Sequence, residues 1–178
     1  MDDIVKQALK KWPNVPHCYG WLGLDARGRW FMRDDRVQAA GPFPQARGSL
    51  LRHDKLVEFI HRNYDHDDAG CWFFQNGPQR VYIELEAAPW VVRVGPGTDV
   101  TTHSGELLAQ RATLVDETGR LYVATDRGLG VVHTLDMHAA ADLVERGDWQ
   151  PEPVRAADLP ARFGHVLSPA ARKQKAGH

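Results

Sequence analysis

Apolar positions recur at helical spacing at the start of the chain, where Ile4, Val5, Ala8, Leu9 and Trp12 alternate with charged residues. That spacing predicts a short helix over residues 2–11, with Asp2 or Asp3 as its cap and Pro13 and Pro16 ending it. The apolar and aromatic run from His17 to Leu24 reads as a strand, and Gly28 to Arg33 as its return. Residues 34–48 mix charges with Gly41, Pro42, Pro44 and Gly48 and read as a long loop. The best helix spans Leu50 to Tyr64, with Leu56, Phe59, Ile60 and Asn63 along one side. Trp72 to Phe74 reads as a strand. Val81 to Glu86 alternates, which predicts Val81, Ile83 and Leu85 facing in and Tyr82, Glu84 and Glu86 facing out. Trp90 to Val94, Glu106 to Val115, Arg120 to Thr125 and Leu129 to Thr134 follow as strands. A helix begins at Asp136 as its cap, runs to about Arg146 and stops at Gly147. Residues 150–162, rich in Pro and Ala, are expected to wrap the surface, and residues 168–178 to be a disordered tail.

One phrase occurs three times. Asp25-Ala-Arg-Gly28-Arg-Trp30-Phe31, Asp67-Asp-Ala-Gly70-Cys-Trp72-Phe73 and Asp116-Glu-Thr-Gly119-Arg-Leu121-Tyr122 all read Asp-x-x-Gly-x-apolar-aromatic. Asp accepts hydrogen bonds from backbone N–H groups just ahead of it, and Gly takes the positive φ of a G1 bulge. The phrase therefore predicts a tight hairpin turn feeding a strand. Its aspartates lack the further ligand positions of a calcium loop. The recurrence, with Gly95-Pro-Gly97 as a boundary, suggests two related units at 1–94 and 95–167. The fold class that follows is α+β, with antiparallel hairpins and sheets and about three short helices.

Charge and composition narrow the function. Lys plus Arg number 22 against 23 Asp plus Glu, a formal net charge of −1. This gives no basic footprint for nucleic acid. No apolar run is long enough to span a membrane, and the acidic start Met1-Asp-Asp is unlike a signal peptide, so a cytoplasmic location is expected. Cys18 and Cys71 make neither a metal pair nor a disulfide framework and are read as small core residues. The six tryptophans suit a β-rich core or a contact surface.

The stretch from His17 to Val94 resembles a proteobacterial domain family of unknown function. The residues that carry it are Trp12-Pro-Asn-Val-Pro-His-Cys-Tyr-Gly-Trp-Leu-Gly-Leu-Asp25, Gly48-Ser-Leu-Leu-Arg52 and Trp72-Phe-Phe-Gln-Asn-Gly-Pro-Gln-Arg-Val-Tyr-Ile-Glu-Leu-Glu-Ala-Ala-Pro-Trp90. More distantly, Gly28-Arg-Trp-Phe31, Leu56 to Ile60 and Ile83-Glu-Leu-Glu-Ala-Ala-Pro-Trp90 are similar to a second uncharacterised bacterial family. That likeness implies a fold of repeated motifs and a link to signalling. Neither resemblance carries a catalytic residue.

No constellation names a reaction. His17 and Cys18 are adjacent on a strand and point to opposite faces. His53 and His61 stand two helical turns apart, about 12 Å along the axis, too far for one ion. His61 with Glu58 reads as a surface pair, and His133 with His138 as ordinary histidines near a strand end. Glu84 and Glu86, about 7 Å apart on one strand face, have a spacing open to acid/base work. A solvated strand face with Arg80 or Arg93 nearby explains them without catalysis. His103, Ser104 and Glu106 are hydrolase residue types without triad geometry.

The sequence favours a cytoplasmic, non-enzymatic binding or regulatory module for a protein or small-molecule ligand, with no metal and no cofactor expected. Its working surface is expected around the loop Asp34 to Gly48 and Arg80, Tyr82, Glu84 and Glu86, with His17 and His133 as further binding candidates. The alternative is a hydrolase or metal-dependent enzyme drawing on His17, Cys18, His53, Glu84, Glu86 and His133 at the junction of the units. A homo-oligomer with an aromatic interface is a third reading.

Overall fold

The computed structural model describes residues 1–97 and 99–177; Thr98, and His178 at the end of the tail, lie outside the described residues. By internal contacts the chain forms two units, one of residues 1–25, 29–86 and those from Val166 onward, the other of 26–28 and 87–165. The sequence-based division at Gly95 and the division by contacts at Ala87 therefore fall at different places. The strand Trp90–Val94 pairs within the second sheet.

The first unit is built on a six-stranded sheet ordered β3-β2-β1-β6-β5-β4. Its strands are β1 (Cys18–Leu24), β2 (Trp30–Met32), β3 (Ser49–Leu50), β4 (Tyr64–His66), β5 (Trp72–Asn76) and β6 (Gln79–Leu85). All pairings are antiparallel except β1 with β6. By register, Leu22, Leu24, Trp30, Phe74, Val81 and Ile83 share one face. The helices α1 (Asp3–Lys11) and α3 (Asp54–Arg62) serve that side, burying Val5 and Ile60. The opposite face carries Tyr82, Phe73 and Glu84 and meets α6 (Pro169–Ala176).

The predicted helices at the start and at Leu50 form, the latter shortened to Asp54–Arg62 because its ends pair as β3 and β4. Asp2 does not cap α1; its carboxylate meets Arg62 and Asn63 instead. The loop 34–48 contains α2 (Asp35–Ala40), capped by Asp34. It is held over the sheet by Arg33, which is only 2% exposed. The Arg33 guanidinium donates to the carbonyls of Gly20, Gly41 and Ala46. Phe43 of this loop lies against Gly23, where any Cβ would fall within 3 Å of the ring.

The second unit closes a small barrel. Strands β7 (Trp90–Val94), β8 (Asp99–Thr102), β9 (Leu107–Val115), β10 (Leu121–Thr125) and β11 (Gly128–Val132) pair in succession. β11 then returns parallel to β7. Along β9, Leu107 is exposed and Leu108 buried, the alternation that a barrel requires. By register, Val92, Val100, Leu108 and Val123 belong to its buried interior. Gly130 fits there because a Cβ would sit 2.6 Å from Val92. A two-residue strand β12 (Glu152–Pro153) runs parallel to β9, and α4 (Met137–Glu145) and α5 (Leu159–Phe163) complete the unit. Asp136 stands at the start of α4 without capping it; its carboxylate makes a bidentate pair with Arg93 and accepts from the Val94 N–H.

The fold is thus α+β, with six α-helices among the described residues where three were expected. The added ones, α2, α5 and α6, are short and lack a long amphipathic signal.

The three Asp-x-x-Gly phrases take the geometry that their chemistry predicts. Gly28, Gly70 and Gly119 have φ of 76°, 85° and 85°. The first Asp accepts from the backbone N–H four residues on in each case: Arg29, Cys71 and Arg120. The return bonds from each Asp N–H to the carbonyls of the same three residues close the bulge.

Candidate binding site

The face singled out in the sequence is covered. Tyr82 is 4% and Glu84 5% exposed, and only Glu86 of the three keeps partial exposure. The alternation of β6 holds, but both faces of its sheet are packed, so outward-pointing residues do not reach solvent. Glu84 accepts from the Ser168 hydroxyl at 2.5 Å and from the Ala170 N–H at 3.3 Å. Burial pushes its carboxyl up, offset in part by those two bonds and by the charge of Arg33. Ser168 also caps α6, which corrects the expectation of a disordered tail from residue 168 to 177. Glu86 pairs with Arg47, while Glu84 is engaged by Ser168 and Ala170.

Around Tyr82 the structure brings together three of the predicted residues. The Tyr82 hydroxyl donates to Asp67 at 3.1 Å and lies 3.3 Å from Arg80. Tyr19 stacks on the Tyr82 ring, and His17 meets its edge. Burial, then the charges of Arg80 and Lys173, hold His17 below its usual range. These contacts satisfy one another and build a wall of the unit. His133 belongs to the second unit, where its Nδ1 accepts from the Leu135 N–H at the head of a short 3-10 turn. Among the described residues no three His, Cys, Asp or Glu side chains gather in a way that would hold a metal ion.

The opposite face of the same sheet has an opening that the sequence reading missed. Between α3 and the strands lies a groove of about 270 Å³, lined by Trp21, Leu22, Met32, Leu56, Phe74 and Val81 among others. Cys18 and Asn76 are its polar members. Its rim is unusually apolar for solvent-facing positions: Trp21 is 39%, Met32 52% and Leu56 36% exposed.

A β-bulge in β1 produces this arrangement. Cys18 pairs with Val81 and Leu22 with Ile83, so Tyr19, Gly20 and Trp21 together oppose Tyr82 alone. The extra residues turn Trp21 onto the groove side instead of the face that simple alternation would give it. Gly20 takes φ of 82°, and its carbonyl is held by the buried Arg33. The guanidinium that pins the loop therefore also fixes the bulge. Cys18 is half-buried at the groove, while Cys71 is buried on the other face with its thiol pushed up to about 11 by burial and then by Asp67. The sequence held one signal for the bulge: Gly20 and Gly23 flanking Trp21-Leu22 inside a strand pattern.

No helix among the described residues is long and apolar enough to cross a membrane. A search of curated proteins finds no match. Among solved structures, the chain is similar to a DUF1285 family protein from Silicibacter pomeroyi DSS-3, at 17% identity and a TM-score of 0.50, covering 80% of this chain and 85% of that one. It also matches a DUF1285 family protein from Shewanella baltica OS155 at 16% identity, with a TM-score of 0.42, covering 68% and 91%. The first likeness speaks for the fold alone. The family model described as "Protein of unknown function (DUF2946)" matches residues 1–170, and the chain belongs to that family.

Proposed function

We propose that this protein is a non-enzymatic binding module and that the groove beside α3 is its working surface, receiving an apolar side chain of a protein partner. The observation that carries this is the groove with its exposed Trp21, Met32 and Leu56. Contiguous exposed apolar residues of this kind mark interaction sites. At about 270 Å³ the space suits one large side chain better than an extended ligand. Trp at the rim supplies a rigid anchor, and Met adapts to the shape of what binds. The groove is carried by a sheet and a helix, with its bulge fixed by a buried guanidinium, so little ordering remains to be done on binding. A cytoplasmic location is part of this proposal, and the two free cysteines suit such a reducing compartment.

The test uses 8-anilinonaphthalene-1-sulfonate as an apolar probe on the native protein, with N-acetyl-tryptophanamide as competitor. Saturable fluorescence that the competitor reduces, and that Met32→Asp and Leu56→Asp each weaken at least tenfold, is the expected result. No saturable signal from folded protein, or one indifferent to both substitutions, removes the groove as a binding site. Sedimentation at two concentrations identifies the alternative in which a second copy fills it.

A further inference from the structure

The C-terminal segment is hydrogen-bonded to its sheet through its first residues. The Val166 N–H donates to the Gly70 carbonyl, the Leu85 N–H to the Leu167 carbonyl, and the Ser168 hydroxyl and Ala170 N–H to the Glu84 carboxylate. Further along, the Lys173 ammonium stands over the Tyr19 ring at 4.4 Å, and the charges of Lys173 and Arg172 act on His17 and Cys71. Pro169 is the buried residue of α6, and every residue from Ala171 to Gly177 is exposed. Helices of this length do not hold themselves together in water without packing. The integrity of α6 therefore depends on its first turn.

That turn is fastened by an uncommon device. Glu84 is a buried carboxylate contributed by the middle of the sheet, and it supplies in trans the negative charge and acceptor oxygens that a helix N-terminus seeks. A well-packed apolar residue at such a position is commonly as stable or more so, whereas a polar latch opens when its partner is lost. Beneath the segment lies a small cluster of Cys71, Phe73 and Tyr82, against which Tyr19 and Val166 pack.

We propose that residues Val166–Ala176 are a detachable strap, latched by Ser168 and Ala170 on Glu84, which opens while the sheet stays folded and uncovers the Tyr19, Cys71, Phe73 and Tyr82 face. The strap covers the face opposite the groove, so this inference is independent of the binding role given to the groove.

Cys71 reports on the opening directly. It is 5% exposed beneath the strap, while Cys18 is half-exposed at the groove and serves as an internal control. The full-length protein is labelled with iodoacetamide across a urea series below the unfolding transition, and modification at each cysteine is read by peptide mass spectrometry. Labelling through a local opening has a shallow urea dependence, because little surface is exposed; labelling through global unfolding has the steep dependence of the whole transition.

The expected result is a shallow dependence for Cys71 in the unmodified protein. Ser168→Ala and Glu84→Gln are expected to accelerate Cys71 labelling roughly tenfold, with Cys18 labelling unchanged. Should Glu84→Gln fail to fold, the unmodified protein and Ser168→Ala decide the matter. Cys71 labelling that follows the global transition in the unmodified protein, or rates unmoved by Ser168→Ala, would overturn the strap.

Discussion

In the barrel each of the strands β7 to β11 has a paired neighbour on both sides, and the interior is filled by its own alternating residues. In the six-stranded sheet, β3 and β4 are edges and both faces need covering by pieces drawn from elsewhere in the chain. The barrel is thus held by shape, whereas the open sheet is held by fastenings: Arg33 on three carbonyls, Glu84 on the strap, Asn63 and Asp2 between helix ends. The difference explains where the groove and the strap occur. The barrel has no strand edge between β7 and β11, and Val154, Leu159 and Phe163 cover its outer face at Leu114, Tyr122 and Leu129. The short helices over the open sheet, by contrast, leave the groove uncovered.

The largest effects should come from cutting a fastening. Arg33→Met removes the guanidinium and leaves the buried carbonyl of Gly20 and the partly buried carbonyls of Gly41 and Ala46 without their donor. A loss of about 3–5 kcal/mol is expected, read by urea unfolding. Gly48→Ala should be comparably severe, since its φ is 88° and a Cβ would lie 2.1 Å from the Met32 carbonyl oxygen. The matching change in the barrel, Val92→Ala, creates only a small cavity and should cost roughly 2 kcal/mol. Equal losses from Arg33→Met and Val92→Ala would break the contrast between fastening and shape.

Acid should weaken both units by the same mechanism. His61 in the first unit and His165 in the second are each pushed down to about 4 by burial. His61 also accepts the Trp30 indole N–H, which a protonated Nε2 cannot do. Both histidines are neutral, folded or unfolded, well above pH 6.5. Below it the unfolded chain takes up protons that the folded chain refuses until about pH 4. Stability is therefore full above the unfolded value and lost as pH falls through this window, by up to about 3 kcal/mol for each histidine. Glu84 acts with the opposite sign: its raised carboxyl favours the folded state in acid and loses that contribution as pH rises past its folded value. Urea midpoints at pH 7, 5.5 and 4.5 check the fall, and His165→Leu should remove part of it. An acid-induced fall as large in His165→Leu as in the unmodified protein would contradict the burial of the His165 ring.

What the sequence made legible was local. The Asp25, Asp67 and Asp116 turns could be read because Asp, Gly and the bulge lie within five residues of one another. Val81 to Leu85 could be assigned as an alternating strand for the same reason. Whether Tyr82 and Glu84 meet solvent is not a local property; it depends on Ser168 and Ala170, more than 80 residues away. The groove depends on a bulge whose register is set by β6, and barrel closure depends on β11 finding β7 in parallel. None of these long-range pairings leaves a periodic trace in the chain.

A smaller effect isolates the turn chemistry itself. Gly119 has φ of 85°, and a Cβ there would meet nothing within 4 Å. Gly119→Ala should therefore cost only the conformational penalty, roughly 1–2 kcal/mol, by thermal or urea unfolding. No loss would mean that the turn relaxes to a negative φ.

The smallest difference lies between two tyrosines that make the same bond. Tyr122 donates to Asp116 at 2.9 Å, and Tyr82 donates to Asp67 at 3.1 Å. Asp116 is 7% exposed, while Asp67 is half-buried. Burial opposes the charge on Asp116, but donors from Thr118, Tyr122 and Arg120 prevail and hold its carboxyl below the usual range. Tyr122→Phe leaves a buried oxygen short of one donor, at a cost of about 1.5 kcal/mol. Tyr82→Phe leaves an oxygen of the half-buried Asp67, which water can reach, so its cost should be about 0.5 kcal/mol. Tyr122→Phe should also raise the Asp116 carboxyl, making the variant lose stability at a higher pH than the unmodified protein as acid is added. If the two substitutions cost the same, water reaches the barrel turn as freely as the turn of the open sheet, and the distinction between closed and open construction does not extend to their hairpins.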